Sequence, residues 1–436
     1  MSGANSYSGP SRWGRTEYYL FGRIAILLVG FAAQLLAIRE IPVKDFTVVA
    51  VCLGTSELLV AVLGFGWASA LNREIAYSPT PGRVRELLGR TLSRDAIYGT
   101  ATALAILFLA GVTRNLTEGS LITDGLLTVA FLPLLSVALN HMLGAMRGLQ
   151  LYGNALAVQA AGAVARLAGI ALLTPYLGVQ GMLISASLAE FVAVIAASAT
   201  VWTWLSKRSH EAIPEPLAPD SSFLQISRFS YANNLSATAW ARLPFIFASF
   251  VLPEHIVGAA TVAQRLARRI GLLGDVATSL KMPKLTKILS TEPDLFPKAS
   301  LKASAELAGL TILAGLLLYL GWNYAAPLAV SGENVDRISP VLAAFILIQL
   351  MDTSASILRG TAIMPLGVPN DFSNLLIWIR MVGLFGFSLA VAGPVPSGLV
   401  LPLSFGAVAA AILLIHLVKT RSSIQDQDPS TTQRGF

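Results

Sequence analysis

The sequence has few charged residues for its length. Only 13% of its 436 residues are charged and 54% are hydrophobic, whereas soluble globular proteins carry about 25% charged residues. A water-exposed surface cannot be built from so few charges, and they gather in short islands between long apolar runs. The composition therefore excludes an ordinary soluble protein and predicts helices that cross a bilayer, each of about 20 mostly apolar residues.

Signatures of several function classes are also missing. Cys52 is the single cysteine, which excludes an internal disulfide and a cysteine-based metal site. No Walker motif is present, and the loops leave no room for a soluble nucleotide-binding domain. No Ser/His/Asp arrangement or metal-ligand cluster stands out, so we expect no cofactor and no enzymatic activity. The net charge of +7 is better explained by basic cytoplasmic loops than by nucleic-acid binding.

Apolar segments recur along the whole chain. Positively charged loops alternate with loops that contain few Lys or Arg residues, which predicts that both termini are cytoplasmic and that the number of spans is even. We expect a multi-pass protein of the bacterial inner membrane, with a retained first span rather than a cleaved signal peptide. The predicted spans are 18–38, 46–70, 96–113, 121–146, 155–175, 181–205, 227–252, 256–280, 303–322, 338–358, 370–392 and 396–418.

Three features recur at an offset of about 210 residues. Arg147-Gly148 follows the fourth span and Arg359-Gly360 follows the tenth. Arg166 and Arg380 each precede a glycine by three residues in the fifth and eleventh spans. A loop with five basic residues follows the second span, and another follows the eighth. The repeats predict an all-α membrane protein of about 12 helices in two six-helix lobes, related by a pseudo-twofold axis along the membrane normal.

The repeat also predicts a domain organisation. The Pro-rich segment between the halves is expected to be an extended linker, and the polar C-terminus a disordered tail. Two longer basic loops, 79–94 and 281–302, have Leu or Ile at helical spacing, which fits either surface-lying amphipathic helices or solvated loops. The predicted units are a cytoplasmic N-terminal segment 1–17, a first lobe 18–206, a linker 207–226, a second lobe 227–419 and a tail 420–436.

Charged residues inside the predicted spans are the candidates for function. Each costs about 2.5–3.5 kcal/mol to insert into a bilayer and usually faces a cavity or a partner. Arginine dominates, and its planar guanidinium fits phosphate oxygens in pairs. A structural role in ion pairs is the alternative for several of them. The eleven charged residues are Arg23, Glu57, Arg166, Glu190, Arg242, Arg265, Arg268, Arg269, Asp275, Asp352 and Arg380.

We predict two sets of site residues from these charges. A polar stripe of Asn234, Thr238 and Arg242 at helical spacing argues for a cavity or a helix contact. The expected substrate-binding residues are Arg166, Arg242, Arg265, Arg268, Arg380 and Asn234. The candidate ion-coupling residues are Glu57, Glu190, Asp275 and Asp352.

Two stretches of the sequence resemble bacterial polysaccharide flippases. Residues 35–76 resemble the first hairpin of that family, with Lys44-Asp45-Phe46 in the turn and the second span closing on Gly66 through Arg73. Residues 253–289 resemble its eighth span, with an Ala-x-Arg-Leu-like element at Ala263 to Leu266 and a Met-Pro-Lys-Leu exit at Met282 to Leu285. The family belongs to the multidrug/oligosaccharidyl-lipid/polysaccharide (MOP) exporter superfamily.

The resemblance implies a function. It implies two six-helix lobes around a V-shaped cavity, alternating access, and export of a polyprenyl-pyrophosphate-linked oligosaccharide such as an O-antigen, lipopolysaccharide or exopolysaccharide unit. The family's cationic cavity residues carry over to Arg242, Arg265 and Arg268 by position. Membrane lipid and other membrane proteins of polysaccharide assembly are the expected partners, and nucleic acid is not.

Three other functions stay open at this point. An ion-coupled drug or metabolite antiporter has the same superfamily fold, while the major facilitator class is disfavoured because the loop after the second span lacks its Asp-Arg pair. A membrane enzyme of polysaccharide assembly generally needs a long external loop, which is missing. A non-transporting scaffold is favoured if the intramembrane arginines are fully paired.

Overall fold

The computed structural model is a bundle of α-helices. It describes residues 12–77, 80–117, 121–207, 221–329, 332–359, 361, 370–393 and 397–425. Short 3₁₀ turns at Val43–Asp45 and Pro293–Leu295 precede α2 and α11. The helices are α1 Arg12–Glu40, α2 Phe46–Leu63, α3 Trp67–Tyr77, α4 Pro81–Thr117, α5 Leu121–Thr128, α6 Leu132–Gly148, α7 Tyr152–Leu177, α8 Val179–Lys207, α9 Ser221–Val251, α10 Glu254–Thr291, α11 Phe296–Ala329, α12 Gly332–Leu358, α13 Asn370–Ala392 and α14 Ser397–Gln425.

The fourteen described helices make twelve crossings of the bundle, where a crossing is one passage of the chain from one end of the bundle to the other. α2 with α3, and α5 with α6, each form one crossing that is interrupted partway, at 64–66 and at 129–131. Ten segments of the described chain are long and apolar enough to span a membrane. The other two crossings are α9 and α10, whose apolar pattern is broken by Arg242 and by Arg265, Arg268 and Arg269. The two most polar crossings are therefore the ones that contain most of the intramembrane arginines.

The first six crossings pack together, and so do the last six. In the first lobe α7 packs on α1 and α8, and the α5/α6 crossing packs on the α2/α3 crossing, α4 and α8. The second lobe repeats this pattern, since α13 packs on α9 and α14, and α12 packs on α10, α11 and α14. The predicted fold class, an all-α membrane protein with two six-helix lobes, is confirmed, and the recurring pairs are those that a two-fold repeat produces.

The lobes meet along α1, α2 and α3 of the first lobe and α9 and α10 of the second. At one end Thr47 Oγ1 donates a 2.8 Å hydrogen bond to the carbonyl of Glu254, and Asn334 Nδ2 donates to the carbonyl of Ile38. Gly258 is required here, because a Cβ on it would collide with the carbonyl oxygen of Val43. The lobes are therefore in close backbone contact at the end that contains the Val43 turn.

The outer surface of the bundle is apolar. Large hydrophobic side chains that would be buried in a soluble protein point outward from both lobes, and only lipid makes such a surface favourable. They include Phe108, Leu172, Trp202, Leu317, Trp378 and Leu414.

Several helices differ from their predicted bounds. Residues 81–94 of the first basic segment are the first part of α4, and residues 281–291 of the second complete α10, so these residues form neither a separate surface helix nor a loop. Helices extend beyond the bilayer in this way because their backbone hydrogen bonds are internal. α1 likewise begins at residue 12 rather than 18.

The predicted linker and tail also differ in part from the structure. α9 begins at Ser221, within the predicted linker, and α14 continues to Gln425, into the predicted tail. The polar residues at these two ends continue the helices into water at no cost to their backbone hydrogen bonds. Residues 208–220 and 426–436 lie outside the described residues, so the domain limits stay predictions.

Candidate functional site between the lobes

Six charged side chains from five helices interact where the lobes face each other. Four are arginines and two are glutamates, which leaves an excess of positive charge. A membrane interior tolerates such an excess only around water or a counter-ion. We name this group the interlobe cluster, which consists of Glu57 of α2, Arg166 of α7, Glu190 of α8, Arg242 of α9, and Arg265 and Arg268 of α10.

Glu57 joins the two lobes at the centre of the cluster. Arg242 Nε donates a 2.7 Å hydrogen bond to Glu57 Oε2, and Arg268 Nη1 lies 3.4 Å from the same oxygen. Arg242 Nη1 also donates to Gln264 Oε1 at 3.2 Å. The Arg242 side chain is 8% exposed, whereas those of Glu57 and Arg268 are 41% and 56% exposed. Arg242 is therefore a buried support, and Arg268 extends into open space between the lobes.

The remaining cluster members surround this pair. Arg166 interacts electrostatically with Glu190 and with Glu57, and Arg265 interacts with Arg242, Arg166 and Arg268. Arg265 Nε and Glu190 Oε2 are buried and have no hydrogen-bond partner among the described residues. Buried polar atoms usually have partners, so these two atoms leave hydrogen-bonding capacity for water or a bound polar ligand.

A cavity in the second lobe is continuous with the cluster. It has a volume of about 360 Å³ and is lined by α9, α10, α12, α13 and α14. Arg268 belongs to both the cluster and this second-lobe cavity, and Gln264, which accepts a hydrogen bond from Arg242 of the cluster, also lines the cavity. The other polar side chains of its lining are Gln349, Asp352, Ser356, Arg359, Arg380 and His416. Three arginines and one carboxylate give the cavity a positive balance.

Arg380 links two helices as well as lining this cavity. Its Nη1 atom donates to Asn233 Oδ1 at 3.0 Å and to Ser236 Oγ at 3.1 Å, both on α9. Asn234, the predicted residue, is exposed and is not part of the lining. Its neighbour Asn233 makes the contact with Arg380. The role predicted for Asn234 stays a prediction.

Five of the six predicted substrate-binding residues thus fall into two neighbouring places. Arg166, Arg242, Arg265 and Arg268 meet in the interlobe cluster, whereas Arg380 lies in the second-lobe cavity. Of the candidate coupling residues, Glu57 and Glu190 are in the cluster and Asp352 is in the cavity, while the side chain of Asp275 lies outside those that are described. Their roles stay predictions.

Sequence reasoning missed other polar groups. Gln264 and Gln349 carry no charge and gave no signal in a list of charged residues, and Arg359 was assigned to a loop. The pair of Asp95 and His141, whose Oδ2 and Nδ1 atoms are 2.6 Å apart, was also missed. His141 within the predicted fourth span was the available signal for that pair, whereas Asp95 directly precedes the predicted third span.

An apolar pocket lies beside the cluster at the boundary of the lobes. It has a volume of about 300 Å³ and is formed by α1, α10 and α11. Its walls are mostly hydrophobic, and Arg269 is the one charged residue that lines it. Arg269 Nη2 lies 3.4 Å from the carbonyl oxygen of Gly30 on α1. The pocket therefore places hydrocarbon-sized space next to a cation that faces the cluster arginines, with which it interacts.

The arrangement suits anion binding more than acid–base or metal chemistry. Guanidinium groups bind phosphate oxygens through paired hydrogen bonds, and they are permanently charged. Among the described residues, no group of three or more His, Cys, Asp or Glu side chains could hold a metal ion.

No protein-family model and no curated protein match the sequence. Solved structures do match. The chain is similar to a multidrug resistance MATE family transporter of the MOP superfamily in its inward-facing conformation, with a TM-score of 0.68, 15% identity, and coverage of 94% of this chain and 98% of that one. It is also similar to a MATE family transporter in its outward-facing conformation, with a TM-score of 0.62, 16% identity, and coverage of 94% and 96%.

A third similar structure is a MOP superfamily transporter from Pyrococcus furiosus, described as having a binding pocket of reversed polarity that suggests a different function. Its TM-score is 0.63 at 15% identity, with coverage of 94% of this chain and 95% of that one. The chain therefore has the two-lobed fold of these MOP superfamily proteins over nearly its whole length. The TM-score with the inward-facing structure is higher than that with the outward-facing one.

Proposed function

We propose that this protein exports an anionic lipid, a polyprenyl-pyrophosphate-linked oligosaccharide, from the cytoplasmic to the outer leaflet of a bacterial inner membrane. The head group enters between the lobes, and the lobes then rock to expose it on the other side. The observation that carries the proposal is the excess of arginine over carboxylate in the interlobe cluster and the adjoining second-lobe cavity. A positively charged cavity in a bilayer attracts an anion.

A pyrophosphate fits the chemistry of this space. Arg268 is half exposed and belongs to both the cluster and the cavity, so it is the first guanidinium that an entering head group meets. Arg265 and Arg166 add charge behind it. Arg242 is already paired with Glu57 and orients that carboxylate rather than contacting the substrate.

The apolar pocket fits the other half of the substrate. A lipid-linked sugar needs hydrocarbon space beside its phosphate site, and the pocket between α1, α10 and α11 gives that space next to Arg269. A soluble anion has no hydrocarbon part that would occupy this pocket. Because α1 and α11 come from different lobes, the tail stays at the lobe boundary while the head group crosses.

An ion gradient is the proposed source of energy. Glu57 and Asp352 are the carboxylates of the two sites that open space reaches, and Glu190 lies behind Arg166. Both termini are proposed to be cytoplasmic, and other membrane proteins of polysaccharide assembly are the proposed partners. The protein is proposed to have no catalytic function.

Reconstitution in liposomes tests the proposal. A short-chain fluorescent polyprenyl-pyrophosphate sugar is placed in both leaflets, and a membrane-impermeant quencher reports the fraction of label that reaches the outside. We expect the wild type to move the lipid and Arg268→Gln to reduce the rate at least tenfold. Arg90→Gln is the matched control, because Arg90 is 57% exposed and is paired with Glu86 on the surface of α4, much as Arg268 is paired with Glu57.

Three results would count against the proposal. Equal rates for wild type and Arg268→Gln would remove the arginines from the pathway. Proton-dependent movement of a cationic dye, with no movement of the lipid, would instead establish the drug antiporter, which the similarity to multidrug transporters and the cavity carboxylate Asp352 favour. Chemical change in the recovered lipid would indicate an enzyme.

A further inference from the structure

A buried acid–imidazole pair lies inside the first lobe, away from the interlobe cluster. Asp95 on α4 and His141 on α6 have side chains that are 3% and 1% exposed. His141 Nδ1 is 2.6 Å from Asp95 Oδ2, and its Nε2 is 3.3 Å from the carbonyl oxygen of Gly64. Both ring nitrogens therefore face oxygen atoms.

This geometry allows two hydrogen-bonding arrangements that differ by one proton. A carbonyl oxygen only accepts hydrogen bonds, so Nε2 must carry a hydrogen to bond Gly64. A second hydrogen must then lie between Nδ1 and Asp95, whichever of the two holds it. If one proton leaves the pair, the ring keeps a single hydrogen and can donate to only one of its two partners. The charge-assisted bond to the carboxylate is the stronger, so the bond to Gly64 is the one lost.

Gly64 is the first residue of a break in the second crossing. α2 ends at Leu63 and α3 begins at Trp67, with Phe65 at φ 45° and Gly66 at φ 69°. A non-glycine residue is disfavoured at such a positive φ, so the surroundings must hold Phe65 there. The bond from His141 to the Gly64 carbonyl is one of these restraints.

The turn itself adds a 2.9 Å hydrogen bond from the Trp67 N–H to the Gly64 carbonyl, and the second lobe supplies further restraints. Ser227 Oγ on α9 donates a hydrogen bond to the Phe65 carbonyl, and the Tyr231 ring stacks on the Phe65 ring at 5.8 Å between centroids. A Cβ on Gly66 would collide with the Ser227 carbonyl. The break is thus held from one side by the buried pair and from the other side by α9, so a change at His141 reaches the contact between the lobes.

Few other charges face this pair. The Trp67 ring lies 5.9 Å from the His141 ring, and the Arg94 guanidinium lies 5.2 Å from the Trp67 ring. Tyr98 of α4 contacts Phe65. Among the described neighbours on α3, α4 and α8, Asp95 is the carboxylate that pairs with His141, whereas Glu74 and Glu86 pair with Arg83.

We propose that the Asp95–His141 pair is a proton-binding site that controls the movement of the lobes through the Gly64–Gly66 break. The bound proton favours the conformation described here, because it keeps Nε2 on the Gly64 carbonyl. Loss of the proton removes this one restraint on the break and so favours the alternative arrangement of the lobes. The proposal rests on the proposed transport function for its role, but the proton-linked movement itself needs no substrate.

A distance measurement between the lobes tests this proposal without a substrate. In a Cys52→Ala background, spin labels are attached to Ala76→Cys on α3 and Lys298→Cys on α11, two exposed positions in different lobes. Pulsed electron resonance of the full chain in nanodiscs gives the populations of the two distances between pH 5.5 and 8.0. We expect the ratio to shift toward the present conformation at low pH, by up to about tenfold per pH unit, the limit for one linked proton.

The variants separate this pair from other titrating groups. His141→Gln and Asp95→Asn should each abolish the pH dependence of the distance ratio. A single one of these variants that stays monodisperse is enough for the test. His255→Gln is the matched control, since His255 is exposed at the start of α10, and it should keep the full shift. A pH shift that persists in His141→Gln, or no shift in the labelled parent, would overturn the proposal. Failure to move a lipid-linked sugar would leave this result unaffected.

Discussion

Glu57 has two arginine partners from the opposite lobe, and the arrangement explains why Arg242 is stable inside a membrane protein. A buried guanidinium without a counter-ion costs several kcal/mol. Arg242 meets this cost through Glu57 and Gln264, which lie on helices far apart in sequence. The intramembrane arginines were recognisable from the sequence because they interrupt apolar runs. Their partners were not, because a contact across 185 residues is decided by tertiary packing.

A double-mutant cycle measures this ion pair. Glu57→Gln and Arg242→Gln should each destabilise the folded protein by roughly 2 kcal/mol, because each leaves one member of the pair uncompensated. The double variant should lose about 1–2 kcal/mol less than the sum of the two. Reversible unfolding in mixed micelles, followed by circular dichroism, gives the four free energies.

The exposed pair of Lys281 and Glu306 is the control for that cycle. Lys281 Nζ lies 2.7 Å from Glu306 Oε2, the same distance as that between Arg242 Nε and Glu57 Oε2. The two side chains are 42% and 46% exposed, so the coupling energy of this pair should be below about 1 kcal/mol. Equal coupling in both cycles would show that the Glu57–Arg242 pair is no stronger than a surface pair and would weaken its assignment as a buried support.

Helices in this protein differ from their sequence patterns mainly at breaks and ends. The predicted second span, 46–70, is interrupted at Gly64–Gly66, although the glycines were visible, because a hydropathy pattern does not record a change of backbone direction. α4 and α10 continue well beyond the apolar core for the opposite reason, since helical hydrogen bonding does not require apolar residues. The apolar pocket between α1, α10 and α11 was unpredictable, as it depends on how three helices are spaced.

Filling that pocket separates a lipid substrate from a soluble one. Gly321 of α11 lines the pocket, and a Cβ on it would meet nothing within 4 Å. Gly321→Leu should therefore fold normally and, by occupying the space for the tail, reduce movement of the lipid-linked sugar at least fivefold. Binding of a water-soluble sugar pyrophosphate, measured by calorimetry, should be unchanged because the arginines are untouched.

Gly309→Leu is the control for the pocket experiment. Gly309 is on the same helix and is equally open to substitution, but it does not line the pocket. If Gly309→Leu slowed lipid movement as much as Gly321→Leu, the effect would belong to α11 as a whole. Unchanged lipid movement in Gly321→Leu would show that the tail binds elsewhere.

The whole molecule consists of two similar lobes, and the main helix pairings of one lobe recur in the other. The arginine–glycine repeats predicted this duplication, and the structure confirms it because the main pairings in the first lobe, those of α7 with α1 and α8 and of α6 with α3, α4 and α8, have counterparts in the second. The relative position of the lobes could not be predicted. It depends on contacts such as those of Thr47 with Glu254 and of Gly258 with Val43, which carry no pattern in the sequence.

Those contacts predict that a covalent cross-link between the lobes at this end abolishes transport. If transport requires the lobes to separate at the Val43 end, a covalent link there must stop it. In a Cys52→Ala background, Thr47→Cys and Glu254→Cys joined by a short bifunctional thiosulfonate should reduce lipid movement to the level of protein-free liposomes, and a reducing agent should restore it. The same reagent on Lys281→Cys and Glu306→Cys links α10 to α11 within the second lobe and should leave the rate unchanged. Complete cross-linking of residues 47 and 254 without loss of transport would exclude opening at this end and, with it, rocking of the lobes as the mechanism.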